Sequence, residues 1–387
     1  MSTFIEFHLI QNFAPSNLNR DDTGAPKDAI FGGHRRARVS SQCQKKTTRD
    51  FFKTSGLVGE ENLGIRTRHL DRVLLGELKS AGLTDPSKFN EIIKQAFKSK
   101  DKKDESGKSD DKEIASSTLS YLLFVSATEI EALKRLVGDH AEMLKELSEK
   151  KKIKPSDVQL SFRDELKAIL RRSKAVDVAL FGRMLADLPI GKQDAACQVA
   201  HAISTHRVER EFDYFTAVDD KGDEDETGAG MIGQVEFNSA TFYRYAVLDV
   251  NKLFDNLQGD RELTLSAIEA FTQALVRAIP SGKQNSFAAH NPPEFIGISL
   301  RHATPLNLAN AFEKPVRPKP EDSLTAQSVG ALASYEDKLA AIYATPLDQW
   351  LYLDLTGRWP QGKGEAQKSL PELARRVREL SAAGLGE

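Results

Sequence analysis

Ile5, Phe7 and Leu9 alternate with Glu6 and His8, a period of two that predicts a strand over residues 3–11 with one firmly apolar face. Residues 12–33 follow with no period, and they hold Pro15, Pro26 and three glycines, which predicts a long loop of the functional kind. Ser41-Gln42-Cys43-Gln44 has the form of a capping box, and its helix should run to about Lys53 and stop at Gly56. On that helix Cys43, Thr47 and Phe51 fall on one side, expected to pack. Gln42, Lys45 and Arg49 fall on another, expected to face solvent or a ligand.

Residues 57–173 are helical in period and rich in Leu, Lys and Glu, which reads as a helical insertion. Strand-like text resumes at Val176, Val178 and Leu180, and again over 235–250, where Phe242 to Leu248 is dense in aromatic and β-favouring residues. Ser266-Ala267-Ile268-Glu269 has the form of a second capping box. It predicts a helix with Ile268, Phe271, Leu275 and Ile279 on one face, ended by Pro280. A short strand over 295–300 follows. Strand, helix, strands, helix, strand is the order of a split βαβ, so the fold class is α+β with a ferredoxin-like sheet, interrupted by the helical block and a long arm near 205–240. Such a fold implies no function by itself.

Composition narrows the class without choosing a function. The 387 residues are 40% hydrophobic and 28% charged, which excludes collagen-like, mucin-like and wholly disordered chains. With 54 Lys+Arg against 56 Asp+Glu, the formal net charge is -2, so any electrostatic signal must be local. Two cysteines, Cys43 and Cys197, make neither a disulfide framework nor a Cys-only zinc site and suit a reducing compartment. The N-terminal run lacks a basic flank, and no stretch approaches the ~18 apolar residues of a membrane span, so a cytoplasmic protein without membrane attachment is expected.

Charge runs in blocks. Between Ala29 and Arg49 there are six basic residues (Arg35, Arg36, Arg38, Lys45, Lys46, Arg49) and no acid. The block follows Gly32-Gly33 and leads into a helix N-terminus. Close backbone approach, orphan N–H groups and forked guanidinium donors together suit a polyanion backbone. The competing reading is a solvated basic face that pairs with the protein's own acids or with another subunit. Lys98 to Glu113 has no apolar residue, and Asp219 to Glu226 holds six acids, so neither feeds a core.

Other chemistry is weaker. His201 and His206 are five apart, off a common helical face, and no metal or cofactor is expected. His34 has the chemistry of a general acid or base, or of a phosphate contact. Asp21-Asp22 beside Gly24 suits either a turn or a divalent-metal site. Phe215 before the acidic run and Met231-Ile232 after it would give a hairpin an apolar tip able to wedge between bases, or simply to pack on its own sheet.

Asn17 to Asp22, Lys27 to Gly33 and Arg35 to Gln42 together resemble the N-terminal signature of CasC, the backbone-subunit family of the type I-E CRISPR surveillance complex Cascade. The resemblance continues at Val176 to Met184, His201 to His206, Asp213 to Asp220, Phe242 to Ala246 and Asn310 to Lys314. It implies an RNA-recognition-motif-like palm (residues 1–56, 175–204 and 241–320), a helical fingers insertion (57–174), a β-hairpin thumb (205–240) and a C-terminal helical segment (321–387). It further implies a non-catalytic chain that polymerises in several copies along CRISPR RNA and presents spacer bases for pairing with target DNA. Other Cascade subunits of the CasA, CasB, CasD and CasE types and a recruited effector nuclease would be its partners. RNA contacts would come from Asn19, Arg20, Lys27, Arg35, Arg36, Arg38, Ser40, Gln42, Lys45, Arg49 and Lys283, with a base wedge from Met184, Phe215 and Ile232. A related class cleaves RNA with an Asp from a comparable loop, which keeps Asp21 or Asp22 as the acid of an alternative metal-dependent endonuclease.

Overall fold

Both faces of the first strand are buried, because it lies in the middle of a sheet that carries cover on each side. The computed structural model describes residues 3–97, 119, 122–171, 173–183, 192–217 and 231–385. The chain begins with β1 (Phe4–Ser16), β2 (Asp28–Phe31), β3 (His34–Val39) and α1 (Ser41–Ser55). A helical stretch follows: β4 (Gly64–Thr67), α2 (Leu70–Val73), α3 (Leu75–Ser80), α4 (Lys88–Phe97), β5 (Leu123–Ser126), α5 (Ala127–Asp139), α6 (Ala141–Glu149), α7 (Leu160–Leu170) and α8 (Val176–Phe181). Then come β6 (Cys197–Val199), β7 (Ala202–Ser204), β8 (Glu211–Ala217), β9 (Met231–Asp249), α9 (Val250–Asn256), α10 (Arg261–Arg277) and α11 (Gln284–Phe287). The chain closes with β10 (Phe295–Arg301), α12 (Leu324–Tyr343), β11 (Gln349–Asp354), β12 (Glu365–Ala366) and α13 (Leu370–Gly384). No described helix is long and apolar enough to cross a membrane.

The chain forms two compact units. One comprises Met1–Leu57, Cys197–Asn251 and Leu265–Glu387, the other Val58–Ala196 and Lys252–Thr264. The first is built on a large, mainly antiparallel sheet in the order β12-β11-β10-β1-β9-β7-β3-β2, with β6 and β8 also paired to β9. In its centre the antiparallel strands β10, β1, β9 and β7 stand side by side, so β10, late in the chain, neighbours the first strand. Ile5, Phe7 and Leu9 bury one face of β1, where Phe7 meets Phe271 of α10 edge-on at 5.3 Å. The opposite face packs Ile10, Tyr243, Tyr245, Phe295 and Trp350 with Val329, Leu332 and Ala333 of α12.

Glu6 and His8, which alternate with the apolar residues, are also fully buried. Their face is the one covered by the aromatic cluster, and a charge there must be paired. Glu6 bonds Arg301, the Leu306 N–H and the Tyr245 hydroxyl, and its Oε2 lies 3.6 Å from His8 Nε2. Arg301 also reaches Asp348 at 3.1 Å. Burial works to raise the Glu6 pKa, but His8, Arg301 and the Leu306 N–H outweigh it, and the carboxyl is held below its ordinary value.

The second unit is mostly helical. Leu74, Phe89, Ile92, Leu133, Leu144, Phe162 and Leu166 form its dry core, beside the short β4–β5 ladder. Val176 to Leu180 is α8, not the strand its alternation suggested. Every residue from Val176 to Leu180 is buried, so alternation carried no information about a single wet face, and the segment clusters with the helical unit rather than the sheet. The Ser266 box is likewise interior to α10, which starts at Arg261 with the Asp260 carboxylate accepting from the Leu263 N–H.

Removing Arg301 leaves Glu6 buried without its partner, so Arg301→Ala should cost about 3–5 kcal/mol at neutral pH. Glu6 has a depressed pKa in the fold, so the stability it supplies is present above the ordinary carboxylate range. It is lost as pH falls through the folded value. Urea unfolding at pH 7 and pH 5 should therefore show a smaller cost of Arg301→Ala in mild acid, where the unpartnered Glu6 takes up a proton. An equal cost at both values would remove the ion pair from the account.

Candidate nucleic-acid interface

The long first loop is a tied structure. Asn17 spends both amide hydrogens on the carbonyls of Gly24 and Glu236, each at 2.9 Å. Lys27 N–H bonds Asn19 O at 2.8 Å, Arg20 bridges to Pro26, and Asn19 Oδ1 accepts from the Ser40 N–H at 2.9 Å. Asp21 folds the tip, its Oδ1 accepting from the Thr23 N–H, the Thr23 hydroxyl and the Ala25 N–H. The bond from Thr23 leads the effects that hold this carboxyl below its ordinary pKa. Asp21 thus serves as a turn residue, one of its two sequence readings.

Helix α1 begins one residue earlier than the capping box implied. Ser40 is the N-cap, its hydroxyl accepting from the Cys43 N–H, and the first turn carries no acid to offset the helix dipole. The packing side is also shifted by one: Gln44, Thr48 and Phe52 are buried, while Cys43, Thr47 and Phe51 are only half-buried. Gln44 drives this shift. Its Nε2 donates to Ala200 O at 2.8 Å, and its Oε1 accepts from buried Arg244, which also bonds Gln11 and the carbonyl of Leu275 in α10. Burial pushes the Arg244 pKa down to about 10, still charged at neutrality.

A groove of about 550 Å³ opens where three segments meet: Leu18 to Asp22 with Gly24, then Cys43, Lys46 and Thr47 of α1, then Ser281 and Gly282. Gly282 is there for space, since a Cβ on it would fall 2.3 Å from Leu18 O. Lys283, next in the chain, holds a left-handed backbone at φ 51. Lys27 acts on this surface from the side: its charge and that of Lys46 oppose the burial that raises the Cys43 pKa.

The structure divides the basic block. Strand alternation in the β2–β3 hairpin, turned by Gly32 and Gly33 at positive φ, sends neighbouring arginines to opposite sides. Arg36 is fully buried, donating to the carbonyls of Ser204, Phe312 and Glu313, which corrects its assignment as an RNA contact. Arg35 pairs with Asp28, and Lys46 pairs with Asp50 at 2.5 Å. Arg38 donates to Asp28 O at 2.9 Å and lies 3.0 Å from His201 Nδ1. Burial, then the charges of Arg38 and Lys27, lower the His201 pKa, so a neutral ring accepts that bond. Arg20, Lys27, Lys45 and Lys283 make no ion pair among the described residues. Gln42 is exposed, and Lys45 and Arg49 are half-exposed on the flank of α1. His206 is half-buried and neutral, with Nδ1 donating to Arg207 O and Nε2 accepting from the Thr241 N–H. His34 is exposed at the hairpin turn.

Strand β8 and the start of β9 form a projecting hairpin, in register from Glu211↔Phe237 to Ala217↔Met231. Phe212 and Tyr214 are 52% and 70% exposed on one face, and Phe215, 43% exposed, lies across Gly233 on the other. Ile232 pairs through its backbone with Thr216, whereas Met184 and the acidic run Asp219 to Glu226 lie outside the described residues.

The chain is thus a mixed α+β protein whose first loop, helix α1 and 281–282 segment converge on one groove. The chain belongs to the CT1975-like protein family, the CasC-type backbone proteins of Cascade, whose model matches residues 5–376. Two solved chains are similar to it. One, of a "CRISPR RNA-guided surveillance complex, pre-nicking", is 30% identical with a TM-score of 0.82, covering 98% of this chain and 100% of that one. The other, of a "CRISPR RNA-guided surveillance complex", is 26% identical with a TM-score of 0.71, covering 97% and 99%. No curated protein matches.

Arg36→Ala orphans two buried carbonyls and one part-buried one, at about 1–3 kcal/mol for each buried unsatisfied group, so it should destabilise the chain by about 3 kcal/mol or more. Arg35→Ala removes only a surface pair and should stay within about 1 kcal/mol. Urea unfolding of both variants checks this, and equal losses would mean that Arg36 is not the anchor of the hairpin.

Proposed function

We propose that this chain is a non-catalytic guide holder: several copies line up along one CRISPR RNA, grip its phosphates and present spacer bases to target DNA. The observation that carries the reading is the convergence of the first loop, α1 and residues 281–282 on one groove lined by Arg20 and Lys46, with the charge of Lys27 acting on the same surface and Lys283 next in the chain. These donors suit phosphate and sugar, contacts that fix position without reading sequence, and base pairing then supplies specificity. The central strand order, fourth beside first, then third and second, supports an RNA-recognition-motif-like palm. The helical unit would be the fingers and the β8–β9 hairpin the thumb.

In this reading Asn19, Arg20, Lys27, Arg38, Gln42, Lys45, Arg49 and Lys283 touch RNA, and Ser40 serves by capping α1 beneath the groove. Arg35, already paired with Asp28, contributes less. Phe215, with Met184 and Ile232, wedges beside a displaced base. Other Cascade subunits and a recruited nuclease complete the assembly, which resembles the complexes that hold the two similar chains.

Native mass of the purified chain mixed with an intact CRISPR RNA tests this directly. Several protomers on one uncut RNA are expected, with or without Mg²⁺. One protomer and no RNA would sink the reading, and RNA shortened only in Mg²⁺ would transfer it to a nuclease. Lys27→Ala and Lys45→Ala should each weaken binding across RNA sequences and flatten the salt slope by ~0.7. A variant with an unchanged slope drops its residue from the phosphate set.

A further inference from the structure

The root of the β8–β9 hairpin is tied to each of the three segments that carry the groove or its flanking arginines. Glu236 is the knot. Its main-chain oxygen accepts from Asn17 of the first loop, and its carboxylate accepts from Arg210 at 3.0 Å. Arg210 also reaches Asp28, the acid that pairs with Arg35, at 2.8 Å. Two residues before Arg210, the Val208 N–H bonds Arg35 O at 3.0 Å. The next residue of β9, Phe237, meets Phe287 of α11, ring centroids 5.6 Å apart, and α11 follows directly on Lys283. The first loop, the β2–β3 hairpin and the 281–288 segment therefore all end on residues 208–210 and 236–237.

Asn17 joins the groove loop and the hairpin through a single side chain. It is fully buried, so it has no surface to offer a ligand. One amide hydrogen closes the first loop on Gly24 and the other holds β9 at Glu236, so a shift of the loop must either move β9 or break a buried hydrogen bond. Aspartate in its place would set a carboxylate against two carbonyls, and no other side chain of that size brings two donors from one nitrogen.

We propose that Asn17 is a positioning residue which, with Arg210, sets the direction of the hairpin from the state of the phosphate groove, so that seating the RNA backbone aims the wedge. The inference rests on the guide-holder reading and adds to it a mechanical link between grip and kink. Two states of the root are what such a link requires, and the buried amide between two carbonyls is the element both sites bias.

The test uses the full chain with a CRISPR RNA carrying 2-aminopurine at successive spacer positions, which brightens where a base is unstacked. Wild type should show a repeating pattern of bright positions. Asn17→Ala should keep the salt slope of wild type, since no phosphate contact is removed, and lose the pattern. Arg210→Ala should do the same, with Arg210→Lys restoring part of it through one carboxylate. A role confined to stability would lower the urea midpoint and overall affinity together and leave the pattern intact, which overturns the proposal. A slope that flattens with the pattern also overturns it, because Asn17 would then touch RNA itself. If Asn17→Ala does not fold, an unchanged pattern in Arg210→Ala overturns it. Wild type that binds RNA with no bright positions, or binds none, defeats the guide-holder reading and this inference with it.

Discussion

One strand, β9, belongs to two structures at once. Its 19 residues would extend about 60 Å at ~3.3 Å each. The second half is the centre of the sheet, paired to β1 along Phe4 to Phe13 and flanked by β6 and β7. Its first seven residues, Met231 to Phe237, pair with β8. The hairpin is thus an outgrowth of the core strand. A two-stranded ribbon is marginal by itself in water. What aims it is the small set of bonds at its root, where β9 leaves the sheet.

The rest of the sheet shows how much charge this fold spends internally. Arg244 stitches α1, β1 and α10, Arg36 stitches the β2–β3 hairpin to the chain near Phe312, and Arg301 holds Glu6 and Asp348. Each is nearly or fully buried and each meets carbonyls or carboxylates, which is how a buried guanidinium is tolerated. A count of basic residues along the chain therefore overstates the charge that faces solvent. The surface that remains is defined by subtraction: Asp28 takes Arg35, Asp50 takes Lys46, and the unpaired cations are what a polyanion would meet.

Much of this was legible in the residues, for reasons that also explain the failures. Strand β1, the helix after Ser40, the strand over Phe242 to Leu248 and the strand from Phe295 were readable because period and caps act locally. Val176 to Leu180 was misread because a short segment buried all round has no wet face to set its period. The packing side of α1 was misread because Gln44, a polar residue, is buried through long-range bonds to Ala200 and Arg244. The Ser266 box was misread because a capping pattern has no force inside a helix already started by Asp260. Lys283 could be placed near the first loop only through resemblance, since nothing local links positions 18 and 282; the structure joins them through a glycine. His201 was weighed as a metal ligand, and its use as an acceptor for Arg38 depends on a strand pairing between Arg38 and Ile203 that no local signal encodes.

In the proposed reading the chain grips a backbone without reading bases, which makes a particular demand. Its contacts carry no sequence information, so all the precision must come from where they stand. That explains why so many polar residues near the groove serve the protein itself. Asn19 holds the Ser40 N–H, Ser40 caps the helix, Asp21 turns the loop tip, Asp28 gathers Arg35 and Arg210, and His201 steadies Arg38. Each such bond removes a degree of freedom from a neighbouring cation or loop. Had these residues been spent on the ligand directly, the chain would have more contacts but no fixed spacing between them. Fixed spacing is what copies of one subunit need if they are to impose the same geometry on successive stretches of an RNA whose sequence they do not control.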